Sequence, residues 1–509
     1  MIRARSAFAL AAASMTLVGA SPRSLSYAPS RAASISRAPF APPPPSSIVP
    51  GALLVRAPQG HAIAIPGATR MRVLADGTEL WKLAGVERGE TTLSARDRVA
   101  AQFPELDVAL DLYRTAQRLP DDDGYAKQWP LPLMQAPGAW DYTTGDPELV
   151  VAVVDTGITP HPELTPRVVG GYDFITDPAN AGDGDGRDPD PTDAGDETDG
   201  SSGFHGTHIA GIIGAASNNG TGMAGVDWRC GLLPVRVLGV EHHTGRDSDI
   251  ADGIRWAAGL NVPGVPQNQR PARVINLSFG GPGYSSLLQD AVLAAQAQGA
   301  LVVASAGNAH VEASQNVPAA LEGVLAVAAA GPDGAPADYS NFGARVDVMA
   351  PGGLAFIDAP IGDTTPGAVW STSYVRASAQ PVFAYAAGTS QAAAHASGLA
   401  ALVFAAAPSL PPEIAAAVIR RSAKQPPAGC PDGCGAGLVD AARAVSYARE
   451  IEKATCGTTS CGSNAIPPAP LRPEEGCSVA RPRPHPIGAA AIALSALALG
   501  ALVRRARRE

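Results

Sequence analysis

The chain has 509 residues, 46% hydrophobic and 17% charged, a balance that fits globular domains with a large core and argues against a disordered or fibrous protein. Its formal charge of −9, with no basic stripe interleaved with aromatics, argues against a nucleic-acid partner. Most of that excess is local, since residues 181–200 hold seven Asp, one Glu and one Arg.

Met1 to Ala20 carries Arg3 and Arg5, an apolar run from Ala7 to Val18 and small residues at Val18-Gly19-Ala20, which predicts a signal peptide (1–20) cleaved after Ala20. Residues 21–47 are rich in Pro, Ser and Ala and predict an extended linker. From Ile48 to about Leu119 alternation returns in GALLVRAP and HAIAI. A hairpin around Asp76-Gly77 and a helix from Ser94 to about Arg118 complete a small domain, 48–119. Its end, Pro120-Asp121-Asp122-Asp123-Gly124, reads as an exposed, mobile stretch open to nicking.

A larger domain, 120–448, follows. It alternates short β-branched runs with helical patterns: LVVAVV ending at Asp155, LLPVRVL from Leu232, RVINLS from Arg273, ALVVAS from Ala300 and GVLAVAA from Gly323. Helices are expected near 206–217, 248–259, 285–298 and 390–407, the α/β pattern of a mainly parallel sheet covered on both faces. Such sheets bind ligands at the carboxyl ends of their strands.

Ser390 lies between the Gly388-Thr389 bend and a long apolar helix, where unpaired N–H groups and the helix dipole suit an oxygen nucleophile. Taken alone it also reads as a helix cap. Asp155 ends the first strand of the domain, where a lone Asp is far more often a turn former than a catalytic group. His205 opens the helix HGTHIAGIIG; a zinc reading of its HxxH spacing lacks the Glu of HExxH. Asn308 closes SAGN after another strand and brings a side-chain amide. Peptide hydrolysis needs a nucleophile, a base, an acid that orients the base, and donors for the oxyanion, and these four residues supply that set.

The chain order Asp, His, Ser is shared with the subtilisin group. VVDTGI, HGTHIAGIIG, SAGN and GTSQAAAHASG resemble the subtilase signatures around acid, base, oxyanion asparagine and nucleophile. INLSFGG resembles the family's substrate-binding strand, and YSNFG with VDVMAPGG a stretch between asparagine and serine. The resemblance spans about 123–448. It implies a subtilisin-like three-layer fold behind a small α+β prodomain that assists folding and blocks the site until self-cleavage near Leu119 to Gly124. It implies a serine endopeptidase in which Asp155 orients His205, His205 deprotonates Ser390, and Asn308 with the Ser390 N–H holds the oxyanion, with no cofactor for catalysis.

By the same resemblance Ser278, Phe279, Gly280 and Gly281 with Ala304, Ser305, Ala306 and Gly307 wall the primary pocket, and Asn316 lies near its base. With no acidic residue evident there, broad preference for apolar or medium-sized side chains is expected rather than strict cleavage after Lys or Arg. Two positions depart from the family's GTSMAAPH: Gln391 replaces Met and Ala394 replaces Pro, which should make the helix more regular. Other readings are an inactive subtilase fold serving as a surface binding module, and a lipase or esterase, whose GxSxG is absent at Ser390.

Asp183, Asp185, Asp188, Asp190, Asp193 and Asp196 alternate with Gly and Pro, so their hard oxygens suit a structural calcium ion as well as a solvated loop. After Ala448 the pattern fades into a linker, 449–475. Cys430 with Cys434 and Cys456 with Cys461 are short-loop disulfide candidates, and Cys230 is left over as a buried thiol. Residues 476–509 hold Gly476-Cys477, the apolar IGAAAIALSALALGALV and four arginines from Arg504 to Arg508, an anchor whose arginines stay in the cytoplasm. The segment resembles the MYXO-CTERM sorting segment. That implies transient membrane anchoring, a sorting peptidase acting at Cys477, and display or release at the cell surface. A monomer acting on protein or peptide substrates is expected.

Overall fold

The computed structural model describes residues 48–58, 63–84, 90–113, 118–195, 203–241, 243–355, 357–358, 367–375, 378–426 and 429–456. The chain divides into two compact units, Met1–Tyr113 and Arg114–Glu509.

The first unit is a four-stranded antiparallel sheet in the order β2-β3-β1-β4, with β1 at Ile48–Arg56, β2 at Ala68–Val73, β3 at Glu79–Leu83 and β4 at Asp107–Leu112. The expected hairpin is present: β2 and β3 pair around Gly77, whose φ of +82° suits glycine. Helix α1, Thr92–Gln102, packs Ala95 and Val99 against Leu53, Val55, Trp81 and Leu83. The helix expected to reach Arg118 ends sixteen residues earlier, where Pro104 cannot supply a backbone donor. The period-2 pattern of DVALDL then makes β4 beside β1. HAIAI also differs, because its described residues 63–65 form no strand although Ile65 is buried.

The second unit holds seven parallel strands in the order β11-β10-β9-β8-β5-β7-β6. They are β5 Val150–Asp155, β6 Tyr172–Asp173, β7 Gly231–Arg236, β8 Val274–Leu277, β9 Leu301–Ser305, β10 Leu325–Ala330 and β11 Val348–Pro351. Alternation divides the interior strands β5, β7, β8, β9 and β10 between two cores. Val151 and Val153 of β5 join the core of α5 (His205–Gly214), α8 (Thr389–Ala406), α9 (Pro412–Ser422) and α10 (Ala441–Cys456). Val150, Ala152 and Val154 join that of α6 (Asp247–Ala257) and α7 (Ser286–Ala297) on the opposite face. The result is the expected three-layer arrangement. Helix α10 continues to Cys456, past the expected start of a linker at 449.

A second, small sheet was not foreseen. Strands β12 (Ile357–Asp358), β13 (Val369–Val375) and β14 (Gln380–Ala387) pair antiparallel in the order β12-β14-β13. The β13–β14 pair lies on α5: Ser371 Oγ and Thr372 Oγ1 donate to the carbonyls of His208 and Thr207, both at 2.7 Å. Because β14 runs straight into Gly388, this pair ties the helix carrying His205 to the one carrying Ser390.

Segment 120–124 is held rather than mobile. Asp122 accepts from the Asn218 and Asn219 amides, Asp121 from Gly220, and the Gly124 N–H donates to Gly222 at 2.8 Å. The membrane-spanning reading falls on residues outside those described; among the described residues no helix is long and apolar enough to cross a membrane.

Burial pushes His208 of α5 down to about 3 and His395 of α8 down to about 4, so both fold as neutral rings. The unfolded chain binds these protons from about pH 6.5 downward. Stability should therefore hold above that pH and fall as pH drops from 6.5 toward 4, by on the order of 3 kcal/mol for His395 alone. Melting temperature against pH checks this, and His395→Gln should flatten the slope.

Candidate active site

Asp155 ends the interior strand β5, fully buried and paired in register with Arg236 of β7. Its Oδ1 accepts the Thr156 N–H at 2.8 Å and His205 Nδ1–H at 2.8 Å. With Nδ1 committed as donor, the His205 tautomer is the one whose Nε2 can take a proton. His208, three residues on, donates from Nε2 to the Ala384 carbonyl at 3.3 Å, so it does not join His205 in an HxxH metal pair.

Ser390 occupies the first turn of α8, as expected. The helix is buried on all sides through Phe404 and runs unbroken past Ala394, where the N–H that proline lacks lets the ladder continue. Ser390 Oγ donates to the Ser278 carbonyl at 2.9 Å, and Ser278 Oγ donates back to the Ser390 carbonyl at 3.0 Å. Gln391 is buried and lines the cleft, with its own carbonyl accepting His395 Nδ1–H at 2.8 Å.

Asn308 sits past the end of β9 with its side chain oriented by a residue the sequence reading treated only as part of a bend. Thr389 donates to Asn308 Oδ1 through both its N–H, at 2.9 Å, and its hydroxyl, at 2.8 Å. With Oδ1 occupied, the amide NH2 is left to donate elsewhere. Asn341 holds the same loop by accepting from the amides of Ala309 and Val311 and donating to Ala306 at 2.8 Å. It lies in the YSNFG stretch, which was noticed without a role for this residue.

These groups line one cleft of about 640 Å³ that includes His205, Asn308, Thr389, Ser390 and Gln391. Ser278, Phe279, Gly280, Gly281, Ser305, Gly307 and Asn316 line it as expected, and Leu238, His243 and Val311 join them unforeseen. Ala304 and Ala306 do not: Ala304 near the end of β9 and Ala306 just past it are buried in two separate apolar clusters. Among the described lining residues none is acidic. A Cβ at Gly280 would come within 2.4 Å of Asn316 Nδ2, the atom that donates to Ser305 at 3.3 Å, so an added side chain here must push Asn316 aside.

The sequence profile of the subtilase family, Peptidase S8, matches residues 146–437, more than half of the chain. This chain belongs to the subtilase family. An extracellular protease of Xanthomonas campestris is 39% identical to this subtilase over 420 residues, covering 79% of this chain and 69% of its own. An extracellular basic protease of Dichelobacter nodosus is 39% identical over 371 residues, 68% of this chain but 59% of its own, so the subtilase spans less than two thirds of that relative. A solved protease from Pseudoalteromonas arctica is 40% identical and superimposes with a TM-score of 0.62, covering 65% of this chain and all of that one. A subtilisin-like serine peptidase fold agrees with the family and with the layered sheet described above.

Two oxygen-rich places in the subtilase could hold a cation. Carboxylate oxygens of Asp183, Asp185 and Asp188 lie within 4.8 Å of one another, with Asp190 on the same open pocket. Asp193 is not part of this group. It is buried and spends its oxygens on Thr156 and Gly195. Asp196 lies outside the described residues. The second place was missed: buried Glu163 has an Oε2 without a hydrogen-bond partner, in a neighbourhood shared with Asp122. Burial, and next the Asp122 charge, push its carboxyl up to about 7, an environment that calls for positive charge.

Cys430 and Cys434 stand as free thiols with a hydrogen bond between them rather than as a disulfide, and Cys230 is a buried thiol as expected. The side chain of Cys456 and all of Cys461 and Cys477 fall outside what is described.

Gly280→Ala should displace Asn316 and narrow the cleft. KM for peptides with a large side chain before the scissile bond should rise about tenfold, and peptides with alanine there should change little. Kinetics on paired synthetic peptides measure it.

Proposed function

We propose that this chain is an exported zymogen whose second unit hydrolyses peptide bonds in protein or peptide substrates by forming an acyl-enzyme at Ser390. The observation that carries the reading is the 2.8 Å bond between His205 Nδ1 and Asp155, in a cleft that also holds Ser390 and an Asn308 oriented by Thr389. Ser390 Oγ turns from the Ser278 carbonyl to His205 Nε2, loses its proton there and attacks the substrate carbonyl. The imidazolium that forms is held by the Asp155 carboxylate, and His205 then protonates the leaving amine. Asn308 Nδ2 and the Ser390 N–H face the developing oxyanion, each donor in such sites being worth about 100- to 1,000-fold in kcat. Water, activated by the same base, releases the acid product.

The lining supports broad cleavage after apolar or medium-sized side chains, since among the described residues no carboxylate is there to pair with Lys or Arg. The first unit acts as the prodomain. The ties of Asp121, Asp122 and Gly124 to the 218–222 loop favour a cut just before them, near the exposed Leu119. The signal peptide, the MYXO-CTERM-type segment and Cys477 take the enzyme through the membrane to the cell surface. The relatives named extracellular proteases support that destination. Calcium is the structural ion this reading assigns, held by Glu163 and Asp122 and by the Asp183, Asp185 and Asp188 group, with no part in catalysis.

Two measurements test these readings. A fluorophosphonate probe should label the processed parent and not Ser390→Ala, and purified Ser390→Ala should remain uncut near Leu119. No label on processed parent would mean a binding module instead. Chelation should lower the melting temperature of the parent, with Glu163→Gln less sensitive than the parent; an unchanged melting temperature would remove the ion.

A further inference from the structure

Asp193 lies twelve residues before His205 and was expected to face a cation, yet the fold turns it inward beneath Asp155. It is buried, with one oxygen accepting the Gly195 N–H at 2.8 Å, an ordinary turn contact. Its other oxygen accepts the Thr156 hydroxyl at 2.5 Å. That same hydroxyl accepts the Gly206 N–H at 2.9 Å. Thr156 follows the acid and Gly206 follows the base, so one hydroxyl joins the two backbone segments that carry the Asp155–His205 pair.

A hydroxyl has a single proton to give. While Asp193 takes it, the oxygen of Thr156 must present a lone pair to Gly206, one of the first-turn amides of α5 that has no partner inside the helix. Without that acceptor the hydroxyl is free to rotate its proton toward the amide it now serves. The backbone around these groups is closely approached: a Cβ at Gly206 would come within 2.2 Å of Gly157 O, and one at Gly157 within 2.4 Å of Pro191 O.

We propose that Asp193 is a positioning residue of the hydrolytic site, acting through the Thr156 hydroxyl to hold the first turn of α5, and with it the His205 ring, in line with Asp155. The role rests on the triad reading above. Besides the groups it bonds, Asp193 faces Asp155, whose charge opposes its ionisation, and Arg236, whose charge favours it; burial is the larger effect and pushes its carboxyl up to about 7.

The test uses the full-length chain. In processed enzyme, Asp193→Ala and Thr156→Val should each lower kcat ten- to a hundredfold with KM within twofold. Asp193→Asn, whose single amide oxygen can accept from the Thr156 hydroxyl only by giving up the Gly195 N–H, should recover part of the loss. The double variant Thr156→Val/Asp193→Ala should be no worse than the poorer single one, because both break one link. A second readout does not need turnover: in a Ser390→Ala background, the low-field His205 Nδ1–H proton resonance should broaden with Asp193→Ala and persist with Asp193→Asn. Equal kcat and equal resonance in parent and Asp193→Ala would overturn the role. So would an Asn variant as impaired as the Ala one, or strictly multiplicative losses in the double variant. Persistent probe labelling of Ser390→Ala would sink the triad reading instead, while the resonance would still decide the place of Asp193.

Discussion

A fully buried carboxylate is tolerated only where donors converge on it, and Asp155 is the point from which the second unit is arranged. Its Oδ1 draws in the Thr156 amide and the His205 ring together. To bring the ring there, α5 has to begin at His205 and cross the end of β5. That leaves a first-turn amide to be met by the Thr156 hydroxyl, and the hydroxyl to be oriented by Asp193. The glycines that line this junction mark where backbone passes too close for any side chain.

Ser390 is brought beside the Asp155–His205 pair, at the end of the neighbouring strand β8, by a different device. Helix α8 is apolar on every face and therefore needs cover on every face, which the sheet, α5, α9 and α10 supply. Its small residues permit that closeness: a Cβ at Gly398 would meet Val226 at 2.6 Å. Reciprocal hydrogen bonds between Ser278 and Ser390 then set the start of α8 against the end of β8, and Thr389 sets Asn308. The β13–β14 pair closes the circuit by resting on α5 and leading into α8.

Much of this was legible in the sequence because the informative patterns are short-range. Short β-branched runs located five of the seven parallel strands, and helical patterns located four helices to within a few residues. Asp155, His205, Asn308 and Ser390 were readable only as a set: each alone suits a cap or a turn, but their chain order and the four motifs around them resemble the subtilase signatures. The failures share a cause too. The 94–118 helix was overextended because a helical period was carried across Pro104 into a strand that only its neighbour β1 explains. Ala304 and Ala306 belong to the pocket by motif, whereas the fold buries each in an apolar cluster of its own.

The sequence by itself determined which groups could do chemistry, since residue type sets what can donate, accept or ionise, and it determined the layered sheet, since periodicity sets which faces must be covered. Only the tertiary structure decided the partners of those groups. Seven aspartates in one acidic run are equivalent on paper; folding leaves three carboxylates facing one another in the open and buries a fourth beneath Asp155. Thr389, Asn341 and Glu163 gained their roles the same way. A side chain's partners across dozens of residues depend on strand order and helix packing, and no local pattern encodes those.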